Sequence, residues 1–159
     1  MSKLNLPEVE LKYKDDQNKK WIFDEIRKKY LVLTPEEEVR QTFIHFLVKY
    51  RKVPPGLIAI EKGLLVNNMK RRTDIVIYSK YGSPIAVVEC KAPHIKITQT
   101  VFEQIARYNM TLRVPLLIIT NGITNYCCKI EYLEPSFSFI KDIPNYEDML
   151  CLANVEGQN

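Results

Sequence analysis

The sequence predicts an α/β fold, a mixed β-sheet flanked by helices in the order α-β-β-β-α-β-β. Three observations predict it. Two stretches, 33–54 and 97–113, carry apolar residues at helical spacing. Between them lie short runs rich in β-branched residues and bounded by turn-forming residues. After the second helix, VPLLIIT (114–120) is almost continuously apolar. That is the pattern of a strand covered on both faces, which a sheet with helices on either side provides.

The elements follow in order. Residues 1–20 are polar, contain one proline and are expected to form an arm with at most a short strand, while WIFDEIRKKY (21–30) has the mixed character of a short strand or helix. In the first helix Thr34 is the N-cap, Pro35 takes the first helical position and Glu37 lies three residues after the cap, a capping-box arrangement. Val39, Phe43, Phe46, Leu47 and Tyr50 then recur at helical spacing until Pro54-Pro55 ends the run. LIAIEKGLLV (57–66) reads as a strand or hairpin bent at Gly63. TDIVIYS (73–79) and PIAVVECK (84–91), joined by Lys80-Tyr81-Gly82-Ser83, form a hairpin. The second helix puts Val101, Ile105, Tyr108 and Leu112 on one stripe. Asn121-Gly122 is a turn dipeptide between VPLLIIT and a further strand, ITNYCCKIEYL (123–133). The tail has Pro135, Pro144 and a short helical stretch at 145–153.

Composition bounds the function. At 159 residues with 46% hydrophobic and 26% charged residues, the chain is one ordinary globular domain rather than a disordered segment. The net charge of +4 is compatible with a polyanionic partner without requiring one. Cys90, Cys127, Cys128 and Cys151 include no Cys-x-x-Cys pair, and with only His45 and His94 beside them no zinc site is expected. The thiols are read as reduced, in a cytoplasmic protein. No run approaches the roughly 20 apolar residues that span a bilayer, and no membrane partner is expected.

The chemistry lies at the end of the hairpin. In VVECKAP (87–93) two buried-type residues run directly into Glu89-Cys90-Lys91. If the turn centres between Tyr81 and Gly82, residues whose numbers sum to 163 face each other, and Asp74 opposes Glu89. Directly opposed residues share a face, and Lys91, two positions on, shares it too. Two carboxylates so placed repel unless a cation sits between them. Mg²⁺ typically takes one or two carboxylates together with phosphate oxygens and waters. A Lys ammonium beside it can hold a phosphate oxygen or orient and deprotonate the attacking water. The reaction class is metal-assisted phosphodiester hydrolysis. Taken alone, Glu-x-Lys is common on solvated strand faces; the strand-end position and the opposed Asp74 distinguish this one.

Asp74 followed by Glu89-Cys90-Lys91 resembles the signature of the PD-(D/E)XK nuclease superfamily, with Thr73 where the signature has Pro. LTPEEEVRQ (33–41), RRTDIVIY (71–78), VVECKAP (87–93), QIARYN (104–109) and TNG (120–122) resemble, in that order, the N-terminal nuclease domain of type I restriction enzyme R subunits. The likeness runs from about Tyr30 to Tyr126, and the chain is expected to be the nuclease-like module alone, without the helicase motor.

The resemblance implies a restriction-endonuclease-like core over 30–133, an N-terminal arm or extension over 1–29 and a tail over 134–159. It implies a Mg²⁺-dependent enzyme, with Mn²⁺ able to substitute, that cuts DNA. Asp74 and Glu89 would ligate the metal with the Cys90 carbonyl as third protein ligand. Lys91 would position the water and stabilise developing charge. Gln104 and Tyr108 match a Gln-x-x-x-Tyr element, and their i, i+4 spacing puts both on one helical face. Gln104 would reach the site or a phosphate, and Tyr108 would brace it, or else fill the core. Glu37 resembles an acid that the first helix contributes; its competing role is the capping box, and Glu36 is its rival. Arg40 would orient either acid or contact DNA. Arg71 and Arg72 are phosphate contacts or a solvated basic turn. Cys90 points away from the site face and is no nucleophile. Asn121 and Gly122 are expected only to form a turn, and His45 to be a half-buried helix residue.

The implied partners are DNA and a separate motor or specificity subunit; a homo-oligomer is compatible. The alternative function is a non-catalytic nucleic-acid-binding or accessory subunit of a restriction or defence complex. An RNA substrate is a weaker option, because no aromatic stacking platform is evident in the sequence.

Overall fold

A six-stranded mixed sheet with helices on both faces forms the centre of the structure, a computed structural model that describes residues 4–61, 63–66 and 69–154. Ahead of it comes a three-stranded meander of β1 (Tyr13–Asp16), β2 (Lys19–Asp24) and β3 (Lys29–Val32). Then follow α1 (Pro35–Arg51), a 3-10 turn at Pro55–Leu57, β4 (Ile58–Ile60), β5 (Gly63–Val66), β6 (Met69–Arg72), β7 (Ile75–Tyr78) and β8 (Pro84–Cys90). After α2 (Gln99–Met110) come β9 (Leu116–Thr120), β10 (Asn125–Glu131), β11 (Ser136–Ile140) and α3 (Tyr146–Leu152). The central sheet has the order β11-β10-β9-β8-β7-β4, with β5 and β6 paired as a separate hairpin. Within it only β8 and β9 run parallel, joined by the α2 crossover that a parallel pair requires.

The sheet strands alternate between two cores. Ile75, Ile77, Ala86, Val88, Leu116 and Ile118 pack with Val39, Phe43, Phe46 and Leu47 of α1 and Met149 of α3. Val76, Val87, Leu117 and Ile119 pack with Phe102 and Ala106 of α2. Because β8 and β9 are covered on both faces, their residues read as nearly unbroken apolar runs.

α1 starts as its sequence predicts: Thr34 is extended, and its Oγ1 accepts from the Glu37 amide at 3.0 Å. It stops at Lys52, which adopts a left-handed conformation (φ 59°) and donates its N–H to the Leu47 carbonyl. α2 is turned by one residue from its expected stripe. Phe102, Ala106 and Asn109 are buried against the sheet, while Tyr108 lies outside.

Residues 13–32 are more ordered than an arm with a short strand. A two-residue turn with positive φ at Gln17 (50°) and Asn18 (60°) links β1 to β2. Asp24, fully buried, accepts from the amides of Ile26 and Arg27, both at 2.9 Å, and so shapes the turn into β3. Alternation in Trp21-Ile22-Phe23-Asp24 turns Ile22 inward toward α1. β11 and α3 likewise occupy the segment expected as a tail, β11 as an edge of the central sheet. Among the described residues no helix is long and apolar enough to cross a membrane.

Candidate active site

The β7–β8 hairpin sets the positions of the two opposed carboxylates. Its partners are Ile75↔Val88, Val76↔Val87 and Ile77↔Ala86, the register inferred from the turn, and a bulge near Ile77/Tyr78 absorbs an extra residue beside the loop. Asp74 stands one residue before β7 and Glu89 one beyond the last paired residue, so they meet at the strand ends.

Asp74 is held from three sides. Its Oδ2 accepts from the Cys90 amide at 2.8 Å, its Oδ1 accepts from Arg40 Nη2 at 2.8 Å, and its carbonyl accepts from the Glu61 amide at 2.8 Å. Lys91 leaves the strand with its amide bonded to the Thr120 carbonyl, 2.8 Å away at the end of β9.

Glu89 is the electrostatic outlier. Burial first, then the charge of Asp74 and a hydrogen bond shared with it, push its carboxyl from the usual 4.5 up to about 8; Lys91 and the Asn109 side chain pull the other way without offsetting this. Glu89 Oε1 is buried and has no hydrogen-bond partner among the described residues. A buried acceptor in that condition is costly unless a proton or a cation supplies the missing contact.

Behind Asp74 lies a relay of charges. Arg40, almost fully buried, donates to Glu37 and Asp74, reaches Glu36 at 3.4 Å and lies 3.5 Å from Glu61. Burial opposes its charge, but Glu37 and Asp74 more than offset this and hold the guanidinium protonated. Glu37 completes only the Thr34 half of the capping box. Its carboxylate turns to Arg40 and to Gln41 Nε2 (3.0 Å), so it reaches Asp74 through Arg40. Glu36 stays half-exposed.

The meander supplies the outer member of the relay. Arg27 donates through Nε to Asp24 (2.6 Å) and through Nη1 to Glu61 (3.1 Å), and its Nη2 lies 3.9 Å from Glu37. Arg27→Met is expected to lower stability by about 1–3 kcal/mol, since it leaves the buried Asp24 carboxylate without its charged partner. Urea unfolding at neutral pH measures this; an unchanged midpoint would mean that solvent replaces the guanidinium.

α2 contributes differently from expectation. Gln104 is exposed and Tyr108 is 37% exposed, so Tyr108 is not a core aromatic. The α2 side chain that reaches Glu89 is the buried Asn109, whose Nδ2 also donates to the Ile105 carbonyl at 2.9 Å. Its signal was available in sequence: a polar residue three positions after Ala106 and seven after Phe102, on the apolar stripe. Arg71 and Arg72 lie on β6, and their side chains fall outside the described residues.

Cys90 packs into the core on the α1 side, where burial keeps its thiol protonated, so it offers no nucleophile. His45 is half-buried on α1 and burial pulls its pKa down, while His94 is exposed. Asn121 does more than turn: its Oδ1 accepts from the amides of Ile123 and Thr124, and its Nδ2 donates to Ile95 at 2.8 Å, tying down the loop after Lys91. Gly122 adopts a left-handed φ of +83°, which favours glycine, and a Cβ there would push on the tip of Leu4 at 2.7 Å.

Among the described residues no three His, Cys, Asp or Glu side chains are grouped to hold a metal. Asp74 and Glu89 bring together two carboxylates, hard oxygen donors of the kind and number that Mg²⁺ typically takes from a protein. The unpartnered Glu89 Oε1 and the mutual repulsion of the pair fit such an ion.

A family model described as type I restriction enzyme R protein N terminus matches residues 35–144. A solved fragment of a proposed HsdR subunit of a type I restriction enzyme from Vibrio vulnificus YJ016 is similar at 19% identity and a TM-score of 0.40, covering 62% of this chain and 21% of that one. The chain thus spans about a fifth of that solved fragment's length. No curated protein matches.

Proposed function

Since this chain belongs to the family of type I restriction enzyme R protein N termini, we propose that it is a Mg²⁺-dependent nuclease of the PD-(D/E)XK type that hydrolyses DNA phosphodiester bonds. What carries the reading is the meeting of Asp74 and Glu89 at adjacent strand ends with Glu89 Oε1 buried and unpartnered.

Asp74 and Glu89 would hold Mg²⁺, or Mn²⁺ in its place, with the Cys90 carbonyl as third ligand. Bound there, the ion would supply positive charge to the scissile phosphate. Arg40 and the Cys90 amide hold the Asp74 carboxylate in orientation. Lys91 orients the attacking water and offsets charge as it develops on the phosphate. Glu37 acts through Arg40, as a positioning residue. Arg71, Arg72, Gln104 and Tyr108 are assigned to the DNA side of the site.

Purified protein is expected to nick or degrade DNA with Mg²⁺ or Mn²⁺ and to stop with EDTA. Lys91→Ala is expected to slow cleavage by roughly 10²-fold or more, the loss typical of one charge-stabilising donor. Cleavage undiminished in that variant would remove Lys91 from the mechanism.

One observation favours a second reading, a non-catalytic DNA-binding or accessory subunit. Both Asp74 oxygens already accept strong hydrogen bonds, one from a guanidinium that competes with a metal for the same charge. That reading predicts salt-sensitive DNA binding, no product with either ion, and no thermal stabilisation by Mg²⁺.

A further inference from the structure

We infer that the outward face of the β1–β3 meander is a binding surface for single-stranded DNA, outside the segment that the family model matches. The inference deepens the proposed function and rests on it only in naming DNA.

Strand pairing assembles what the linear sequence scatters. Trp21 opposes Lys14 on β1 and Val32 on β3, and Phe23 opposes Tyr30. Since opposed residues share a face, Trp21, Phe23 and Tyr30 form one row on the side away from Ile22 and α1. None of the three belongs to either buried core. Phe23 and Tyr30 lie 5.1 Å apart between centroids, and Val32 beside them is 45% exposed.

Cations already cover the ring faces. Lys14 Nζ sits 4.6 Å from the Tyr30 centroid and 5.7 Å from that of Trp21, and Lys12 Nζ lies 5.4 Å from that of Phe23. The three rings are half-buried, with lysine ammonium groups lying over them. Lys19 shares the face, opposed by Asp16, the single acid there, while Lys12 lies 3.7 Å from Glu25 at the rim. Residues 12–30 hold seven Lys or Arg against four Asp or Glu, a net of +3 in a chain whose total is +4.

Aromatic rings interleaved with lysines match unpaired nucleotides, whose bases stack on rings while their phosphates meet ammonium groups. A duplex keeps its bases stacked inside and cannot use the rings. The other face of the meander packs toward α1, where Tyr13 Oη donates to Glu38 at 3.3 Å, and the β2–β3 turn places Arg27 on Glu61. A strand on the outward face would therefore lie across the meander from the helix that carries Glu37 and Arg40.

The test uses the full chain in EDTA, so that cleavage plays no part. Trp21 is the chain's single tryptophan, so its fluorescence reports on the surface itself. A short dT oligonucleotide is expected to quench it saturably, and a duplex of equal length much less. With three lysines on phosphates, log affinity should fall with log salt at a slope of about −2. Lys12→Gln, Lys14→Gln and Lys19→Gln together should flatten that slope without disturbing the fold, checked by circular dichroism. Trp21→Ala should weaken binding of a labelled oligonucleotide at least about tenfold, and Trp21→Phe should largely retain it.

Unchanged Trp21 fluorescence on saturation with dT would overturn the inference, as would an unaltered slope in the lysine variant. Equal quenching by the duplex, quenching by oligo-U alone, or equal quenching by phosphatidylserine vesicles would each assign the face to a different partner and overturn it as well. Quenching by dT in a protein that cuts no DNA would leave this surface standing and remove the nuclease.

Discussion

Arg40→Met is expected to destabilise the protein by about 3–5 kcal/mol, the penalty typical of removing one partner from a buried ion cluster. Arg40 is 5% exposed and is shared among Glu37, Asp74, Glu36 and Glu61. Without it, four carboxylates remain close together, and Glu37 stays buried with only Gln41 Nε2 and the distant end of Arg27 to face. Protonation would relieve part of the repulsion, so the loss should shrink as pH falls. Arg40→Lys should recover little, since one ammonium cannot span Glu37 and Asp74 as a planar guanidinium does. Chemical denaturation at pH 7 and pH 5 measures both effects. A loss under about 1 kcal/mol at pH 7 would show that the acids separate freely and that the relay does not hold Asp74.

Glu89→Gln is expected to abolish cleavage and, without metal, to make the protein more stable at pH 8. The sign follows from the raised pKa. Between 4.5 and about 8 the folded protein keeps a proton on Glu89 that the unfolded chain has released. Stability from this group is therefore full below 4.5 and is lost as pH rises through about 8. The slope approaches about 1.4 kcal/mol per pH unit where one proton separates the two states. A neutral amide removes the dependence, so wild type and variant should converge near pH 5 and diverge by a few kcal/mol at pH 8 in EDTA. Mg²⁺ should close that gap by stabilising wild type and leaving the variant unmoved. Parallel stability curves from pH 5 to pH 8 would refute the raised pKa.

What could be read in advance is what depends on short range. The hairpin register followed from one turn, because a period of two admits only discrete pairings and a slip would turn Asp74 to the face away from Glu89. The α1 cap was legible for the same reason, since Thr34 and Glu37 interact within one turn. The relay was not, because Arg27–Glu61 and Arg40–Asp74 each join residues 34 positions apart and neither pair carries a local signature. The meander was hidden by composition: its charges masked an alternation that only pairing with neighbouring strands makes plain. α2 was read one residue out of phase because Asn109, polar yet buried, disguised the stripe that faces the sheet.

The separations in the relay also bear on timing. Asp74 and Glu89 belong to a local hairpin, which forms early because its loop is short. The guanidinium that steadies Asp74 arrives only when α1 docks on the finished sheet, and β9, which anchors Lys91, is synthesised after both carboxylates. A nascent chain therefore brings the two acids together before Arg40 and β9 are in place, and the site takes its final geometry only when the last long-range contact closes.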